Sequence, residues 1–126
     1  MPTKVRMQRI NDRMHQELSA LILLKISDPR LSGISVTDVS VDREFAYADI
    51  YVSAVEGASR SKEVLEGLEH ASGFLRHELA ARVELRTFPR LRFHWDPTPE
   101  NADHIEKVFR SLHENEPAGD KTVKKR

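Results

Sequence analysis

Cysteine is absent from this chain of 126 residues, so neither a disulfide scaffold nor a thiolate metal site can be built. Net charge is absent too, because 20 basic side chains balance 20 acidic ones, and overall charge gives no argument for a nucleic-acid partner. No apolar run approaches the roughly 20 residues of a membrane-spanning helix. The first 13 residues hold no apolar stretch of leader length. Glycine is scarce and scattered, which excludes a glycine-rich phosphate loop. Of the six histidines (His15, His70, His77, His94, His104 and His113), none has a partner at a metal-binding spacing. His70 and His77 share a helix face but stand seven residues apart. No serine lies in a nucleophile-elbow pattern, and no acidic pair argues for acid–base chemistry. These absences point to a soluble, cytoplasmic, single-domain protein with no catalytic activity, no cofactor and no metal.

What is present is a strong alternation of charge. Residues 1–30 carry six basic and three acidic groups, residues 31–69 three and eight, and residues 70–95 five and two. Residues 96–120 carry two and seven, and residues 121–126 four and none. Such blocks can build one basic and one acidic face. They can equally give a mixed surface with ion pairs between blocks.

Residues 6–26 read as a helix, with Met7, Ile10, Met14, Leu18 and Leu21 in one stripe and Arg6, Arg9 and Arg13 in a second beside it. Residues 22–24 make its last turn apolar nearly all round, which suggests deep packing. Asp28-Pro29-Arg30-Leu31-Ser32-Gly33 is a loop, with Asp28 as a turn-forming side chain. Residues 34–42 are rich in β-branched side chains. Their apolar parity changes midway, which fits either a central strand covered on both faces or a bulge near Thr37-Asp38. Residues 45–55 alternate, with Ala46, Ala48, Ile50, Val52 and Ala54 on one face. Ser59 or Ser61 is a plausible cap for the next helix, whose stripe of Val64, Leu68, Ala71, Leu75 and Leu79 runs to about residue 84. Leu91, Phe93 and Trp95 alternate with Arg92 and His94 in a third strand. Thr98-Pro99-Glu100 opens a last helix with Ile105, Val108, Phe109 and Leu112 as its apolar face. The expected product is an α+β domain over residues 1–114 with a three-stranded sheet, followed by a polar, disordered tail over residues 115–126.

The second long helix carries the most informative irregularity. Gly73 costs about 1 kcal/mol relative to alanine inside a helix. It lies on the face opposite the apolar stripe, with Glu69, His70, Arg76 and His77. A bare backbone among basic side chains lets a phosphate approach closely. The same glycine could merely let the helix bend over a small sheet. The Arg6, Arg9, Arg13 stripe is the second candidate RNA contact, and Arg82, Arg86, Arg90 and Arg92 form a third. The first-helix stripe can also be an ordinary solvated helix face, and Arg82 is placed to snorkel from the apolar side. Few aromatics are available for base stacking: Tyr47 and Tyr51 can be exposed, whereas Phe93 and Trp95 read as core. Recognition by shape and phosphate is therefore favoured over reading of sequence.

In combination these segments resemble the bacterial ribosome-binding factor A family over roughly residues 5–110. The resemblance rests on Arg6 and Arg9 opening the first helix, Asp28-Pro29-Arg30-Leu31, the strand Phe45-Ala46-Tyr47-Ala48 with Ile50-Tyr51-Val52-Ser53, Ala71-Ser72-Gly73-Phe74-Leu75-Arg76, and Leu85-Arg86 followed by Pro89, Leu91 and Phe93. It implies a type II KH-like fold of order αββααβ, with a kinked helix pair at Ala71-Ser72-Gly73 and an additional C-terminal helix. It also implies a non-enzymatic factor that binds the free small (30S) ribosomal subunit and assists late maturation of 16S rRNA, including its 5′ end. The family further implies growth support in the cold, monomeric action, and release coupled to a maturation GTPase and to initiation factor 3. RNA-binding candidates are then Arg6, Arg9, Arg13, His70, Ser72, Gly73, Arg76, His77, Arg82, Arg86, Arg90 and Arg92. A generic single-stranded RNA-binding KH module, not dedicated to ribosomes, is the alternative.

Overall fold

Thr3 sets the start of the first helix, α1 (Lys4–Lys25): its hydroxyl accepts the backbone N–H of Arg6 at 3.1 Å. The structure, a computed structural model, describes residues 3–99. The apolar stripe of α1 is buried as its spacing implies, with Met14 and Leu18 fully enclosed. The last turn departs from expectation. Ile22 is buried, but Leu23 and Leu24 are 79% and 74% exposed. Each step turns the helix by roughly 100°, which carries the two leucines off the core-facing stripe, and no other described element covers them from outside. The chain then turns at Pro29–Leu31, where the Asp28 carboxylate accepts the Arg30 N–H at 2.9 Å and Leu31 inserts into the core.

Strands β1 (Ile34–Val41) and β2 (Tyr47–Ala54) pair antiparallel, with a register shift between Val36 and Asp38. That bulge accounts for the parity change in the sequence. A central strand covered on both faces does not, since β1 lies at the edge of the sheet and its Ser35, Asp38 and Ser40 are exposed. At the hairpin turn the Asp42 carboxylate accepts the Ala46 N–H at 2.7 Å, and Phe45 takes a left-handed φ of 58°. Strand β3 (Arg90–Trp95) adds parallel to β2, completing a sheet of order β1-β2-β3. A parallel neighbour requires a long crossover, and helix α2 (Ser61–Arg82) supplies it. Ala48, Ile50 and Val52 of the central strand are fully buried with Val64, Leu68, Leu75 and Leu79 of α2.

Helix α2 corrects two expectations. Its cap position is Arg60, with no side-chain cap bond, because the 3-10 turn Ala58–Arg60 leads into it. It is also one continuous helix through Ala71-Ser72-Gly73, where a kinked pair was expected, so the order among the described residues is αββαβ. Glycine lowers helix propensity but keeps its N–H, and the stripe from Val64 to Leu79 stays in phase across it. The glycine with a packing duty is Gly67. A Cβ there would lie 2.9 Å from Leu31 Cδ2 and 3.3 Å from Arg30 Cβ, so α2 meets the Pro29–Leu31 turn at close range. Arg60 clamps the same junction by donating to the carbonyls of Ser32 (2.7 Å) and Arg30 (2.9 Å). A boundary between compact units follows Asp96. Thr98 and Pro99 are helical; the rest of the expected C-terminal helix, the limit at residue 114 and the polar tail lie outside the described residues.

Candidate nucleic-acid interface

The first basic stripe meets the end of α2. Arg6, Arg9 and Arg13 line a notch of about 330 Å³ with Ile10, Arg82, Val83, Glu84 and Leu85. The junction is tied by Arg13 Nη2, which donates to the Arg82 carbonyl at 3.2 Å. Its rim is not uniformly cationic. Arg82 pairs with Glu78 at 2.7 Å and approaches Glu17 at 3.6 Å, and Arg13 pairs with Glu17 at 3.3 Å. The hydrogen bond from Arg82 holds the Glu78 carboxyl below the ordinary glutamate range, so this pair is committed at neutral pH. Arg6 and Arg9 are exposed, and among the described residues neither side chain has an acidic partner. They are the free cations of the notch.

The α2 candidates divide. His70, Gly73 and His77 are exposed and Ser72 is half-buried. A Cβ on Gly73 would meet nothing within 4 Å among the described residues, so the backbone there is open to an approaching partner. Arg76 is spent internally. It donates from Nη2 to the Phe88 carbonyl at 2.8 Å and from Nε to the Pro89 carbonyl at 3.1 Å, pinning the connection into β3. The Gly73 strip and the notch are separate surfaces. Nine residues along a helix amount to about 13 Å and roughly half a turn of rotation, which sets Gly73 on the side of α2 opposite Arg82.

The third group also separates. Arg86 and Arg90 are exposed. Arg92 stands on the sheet face turned away from the helices, where it forms a two-point bond to Asp49 at 2.9 and 3.1 Å and lies 4.0 Å over the Tyr47 ring. His94 Nε2 approaches the same carboxylate at 2.7 Å, and its ring stacks on Tyr51 at 4.9 Å. The Arg92 hydrogen bond, with a smaller contribution from His94, holds the Asp49 carboxyl below its usual value against the opposing effect of burial. Sequence reasoning missed this cluster because its members come from strands more than 40 residues apart, and only the β2–β3 register brings them together. It also missed Arg60 and Gly67, whose duties depend on a loop some 30 residues away.

Among the described residues no group of side chains could hold a metal ion, and no helix is long and apolar enough to cross a membrane.

Residues 6–109 match the family model for ribosome-binding factor A. A curated relative of that description from Azoarcus sp. (strain BH72) is 38% identical over 104 residues, covering 82% of each chain. The crystal structure of ribosome-binding factor A from Thermus thermophilus superposes with a TM-score of 0.63 at 27% identity, covering 70% of this chain and 93% of that one. Coordinates of the Thermus thermophilus factor as fitted into a cryo-EM map of its 30S complex give a TM-score of 0.50 at 28% identity, over 69% and 87% of the two chains. The α+β arrangement described above is thus the KH-like fold of these structures.

Proposed function

This chain belongs to the ribosome-binding factor A family, and from that membership we propose that it binds the free small ribosomal subunit through 16S rRNA, in the cytoplasm and as a monomer. The observation that carries the reading is the notch between α1 and the end of α2, with Arg6 and Arg9 exposed at its mouth and unpaired among the described residues. Guanidinium groups without internal partners are the ones that can bridge phosphate oxygens at two points. Arg13, whose side chain is 55% exposed, stands beside them. The strip of His70, Ser72, Gly73 and His77 is a second contact, where a bare backbone admits a sugar–phosphate chain. Arg86 and Arg90 extend the reach of these sites. Arg76 and Arg82 shape the surface instead of touching RNA, since their donors already serve internal acceptors.

The role we assign is conformational. Binding energy that differs between two rRNA arrangements shifts their populations, with no covalent step by the protein. That action suits late maturation of 16S rRNA, its 5′ end included, and it matters most in the cold, where misfolded RNA escapes slowly. Release would follow when a maturation GTPase or initiation factor 3 favours an arrangement to which this surface no longer fits.

The test replaces Arg6 and Arg9 together by glutamate. Cosedimentation with free small subunits should weaken, and the slope of log affinity against log salt should become shallower by about 1 for each phosphate no longer bridged. An affinity and slope equal to the parent's would remove α1 from the interface. Deletion of the protein should leave small subunits carrying 5′-extended precursor rRNA, and normal 5′ ends would sink the processing role.

A further inference from the structure

We infer that the open face of the sheet is a second RNA surface, a platform on which unpaired bases of a single strand stack along the β2–β3 seam. Parallel pairing sets Tyr47 beside Arg90, Asp49 beside Arg92 and Tyr51 beside His94. These six turn away from the helices, because the alternate residues Ala48, Ile50 and Val52 are fully buried beneath them. A solvent-facing seam thus carries two tyrosines, two arginines and a histidine, side chains whose flat surfaces attract nucleobases.

Their geometry is preset. The Arg92 guanidinium lies 4.0 Å from the centre of the Tyr47 ring, and the His94 and Tyr51 rings stack at 4.9 Å with 26° between planes. One carboxylate, Asp49, grips both Arg92 and His94. Flat groups held in one orientation before a ligand arrives lose little conformational freedom on binding. Their outer surfaces remain accessible: Tyr47 is 36% exposed, and the side chains of Arg92 and His94 are 49% and 40% exposed.

The same details select the partner. The charge of Arg92 is matched by Asp49, so an acidic peptide gains little there, and what remains is stacking surface with the exposed Arg90 cation at its end. Asp38 lies opposite Tyr51 on β1, which keeps a polyanion on the β2–β3 side of the sheet. Tyr47 and Tyr51 are four residues apart on one strand, about 13 Å by the rise of a β-strand. That is several times the spacing of about 3.4 Å between stacked bases of a duplex strand, so an extended single strand fits where a duplex does not. The notch belongs to the helical side, so the protein would hold two RNA segments at once. This second surface does not depend on the first.

The test uses the full chain, a short labelled oligouridylate and an RNA hairpin of matched length, with binding followed by fluorescence anisotropy. The parent should prefer oligouridylate to the hairpin. Tyr47→Ala and Tyr51→Ala should each weaken oligouridylate binding by about 5- to 150-fold, the range of one lost base stack. Tyr47→Phe should keep it, because stacking needs the ring and not the hydroxyl. In amide spectra of the parent, oligouridylate should shift Tyr47, Tyr51 and His94. Failure of the parent to bind oligouridylate, shifts confined to other residues, or parent-like binding by a folded Tyr47→Ala chain would each overturn the proposal. So would a Tyr47→Ala chain that binds oligouridylate normally but loses small subunits, which would mark the face as a protein-docking surface. Amide shifts at Tyr47, Tyr51 and His94 read the platform, and small-subunit cosedimentation of the Arg6 and Arg9 variants reads the notch, so the two surfaces fail or stand separately.

Discussion

Two alanine substitutions in one helix separate what its glycines do. Gly67 and Gly73 both lie inside α2, so each gains the same intrinsic preference on replacement by alanine, about 1 kcal/mol. Gly73 has no positive φ and open space around it, so Gly73→Ala should realise that gain and raise Tm by roughly 4–6 °C. At Gly67 the new methyl would lie 2.9 Å from Leu31 Cδ2 and 3.3 Å from Leu31 Cγ and Arg30 Cβ. Leu31 is 5% exposed and packed in the core, so displacing it disturbs its neighbours. Overpacking of this kind costs about 1–3 kcal/mol, which cancels or outweighs the helix gain. The two variants should therefore differ by about that 1–3 kcal/mol steric cost, with Gly67→Ala the less stable. Urea titration followed by circular dichroism measures both, and an unchanged m-value keeps the comparison within two-state bounds. Equal shifts in one direction would refute the close approach at Gly67, and a destabilisation of about 1 kcal/mol or more at Gly73 would refute a continuous helix there. Small-subunit affinity of Gly73→Ala adds a second reading: if RNA comes close to that backbone, binding falls while stability rises.

Arg76→Met keeps the aliphatic stem but removes both donors from the Phe88 and Pro89 carbonyls, and should lower the stability measured in urea by about 1–2 kcal/mol. Asp49→Asn probes the acid limb. Asp49 has its folded pKa depressed, chiefly by Arg92, so its contribution is complete above the unfolded value of about 3.9 and is lost as pH falls through the lower folded value. The stability gap between parent and Asp49→Asn should be present at about pH 6 and close below about pH 4; a gap that widens on acidification would contradict the pairing. Leu23→Ser and Leu24→Ser should change stability by less than about 0.5 kcal/mol, whereas Leu18→Ala should cost about 2–5 kcal/mol, because only Leu18 is enclosed.

Much of the architecture was legible because period and parity are local. The stripe from Met7 to Leu21 marks the buried face of α1, the alternation through Ala48, Ile50 and Val52 marks the buried face of β2, and the parity change near Thr37 marks a bulge. Two readings failed for a common reason. Leu23 and Leu24 are apolar, yet whether they are covered depends on what packs around the helix end. The kink assigned to Gly73 came from resemblance, while propensity alone neither breaks a helix nor identifies Gly67 as the crowded position. The arginines were legible as charge but not as commitments. Arg76 answers to carbonyls 12 and 13 residues away, Arg82 to Glu17, and Arg92 to Asp49. Spacing in sequence carries no signal for such partners.

Those commitments bear on how a chain of zero net charge could serve as an RNA-binding factor. Affinity for phosphate depends on cations free to release counterions, not on the sum over the molecule. Arg30, Arg60, Arg82 and Arg92 are matched by carboxylates, and Arg76 by carbonyl oxygens. The acidic side chains that bring the total to zero are thus partly used in tying loops and strands together. Among the described residues, the cations with no acidic partner include Arg6 and Arg9 at the mouth of the notch and Arg86 and Arg90 at the approach to β3, with Lys4, Lys25, Arg43 and Lys62 elsewhere on the surface. A few free guanidinium groups would give binding of modest salt dependence. On the proposed reading, the remaining affinity and selectivity would come from shape, from exposed backbone at Gly73 and from the flat surface that Tyr47, Arg92, His94 and Tyr51 present. Such a balance would make binding responsive to the arrangement of the RNA, because contacts that read shape vanish when the RNA rearranges, whereas bulk charge would hold on to either state.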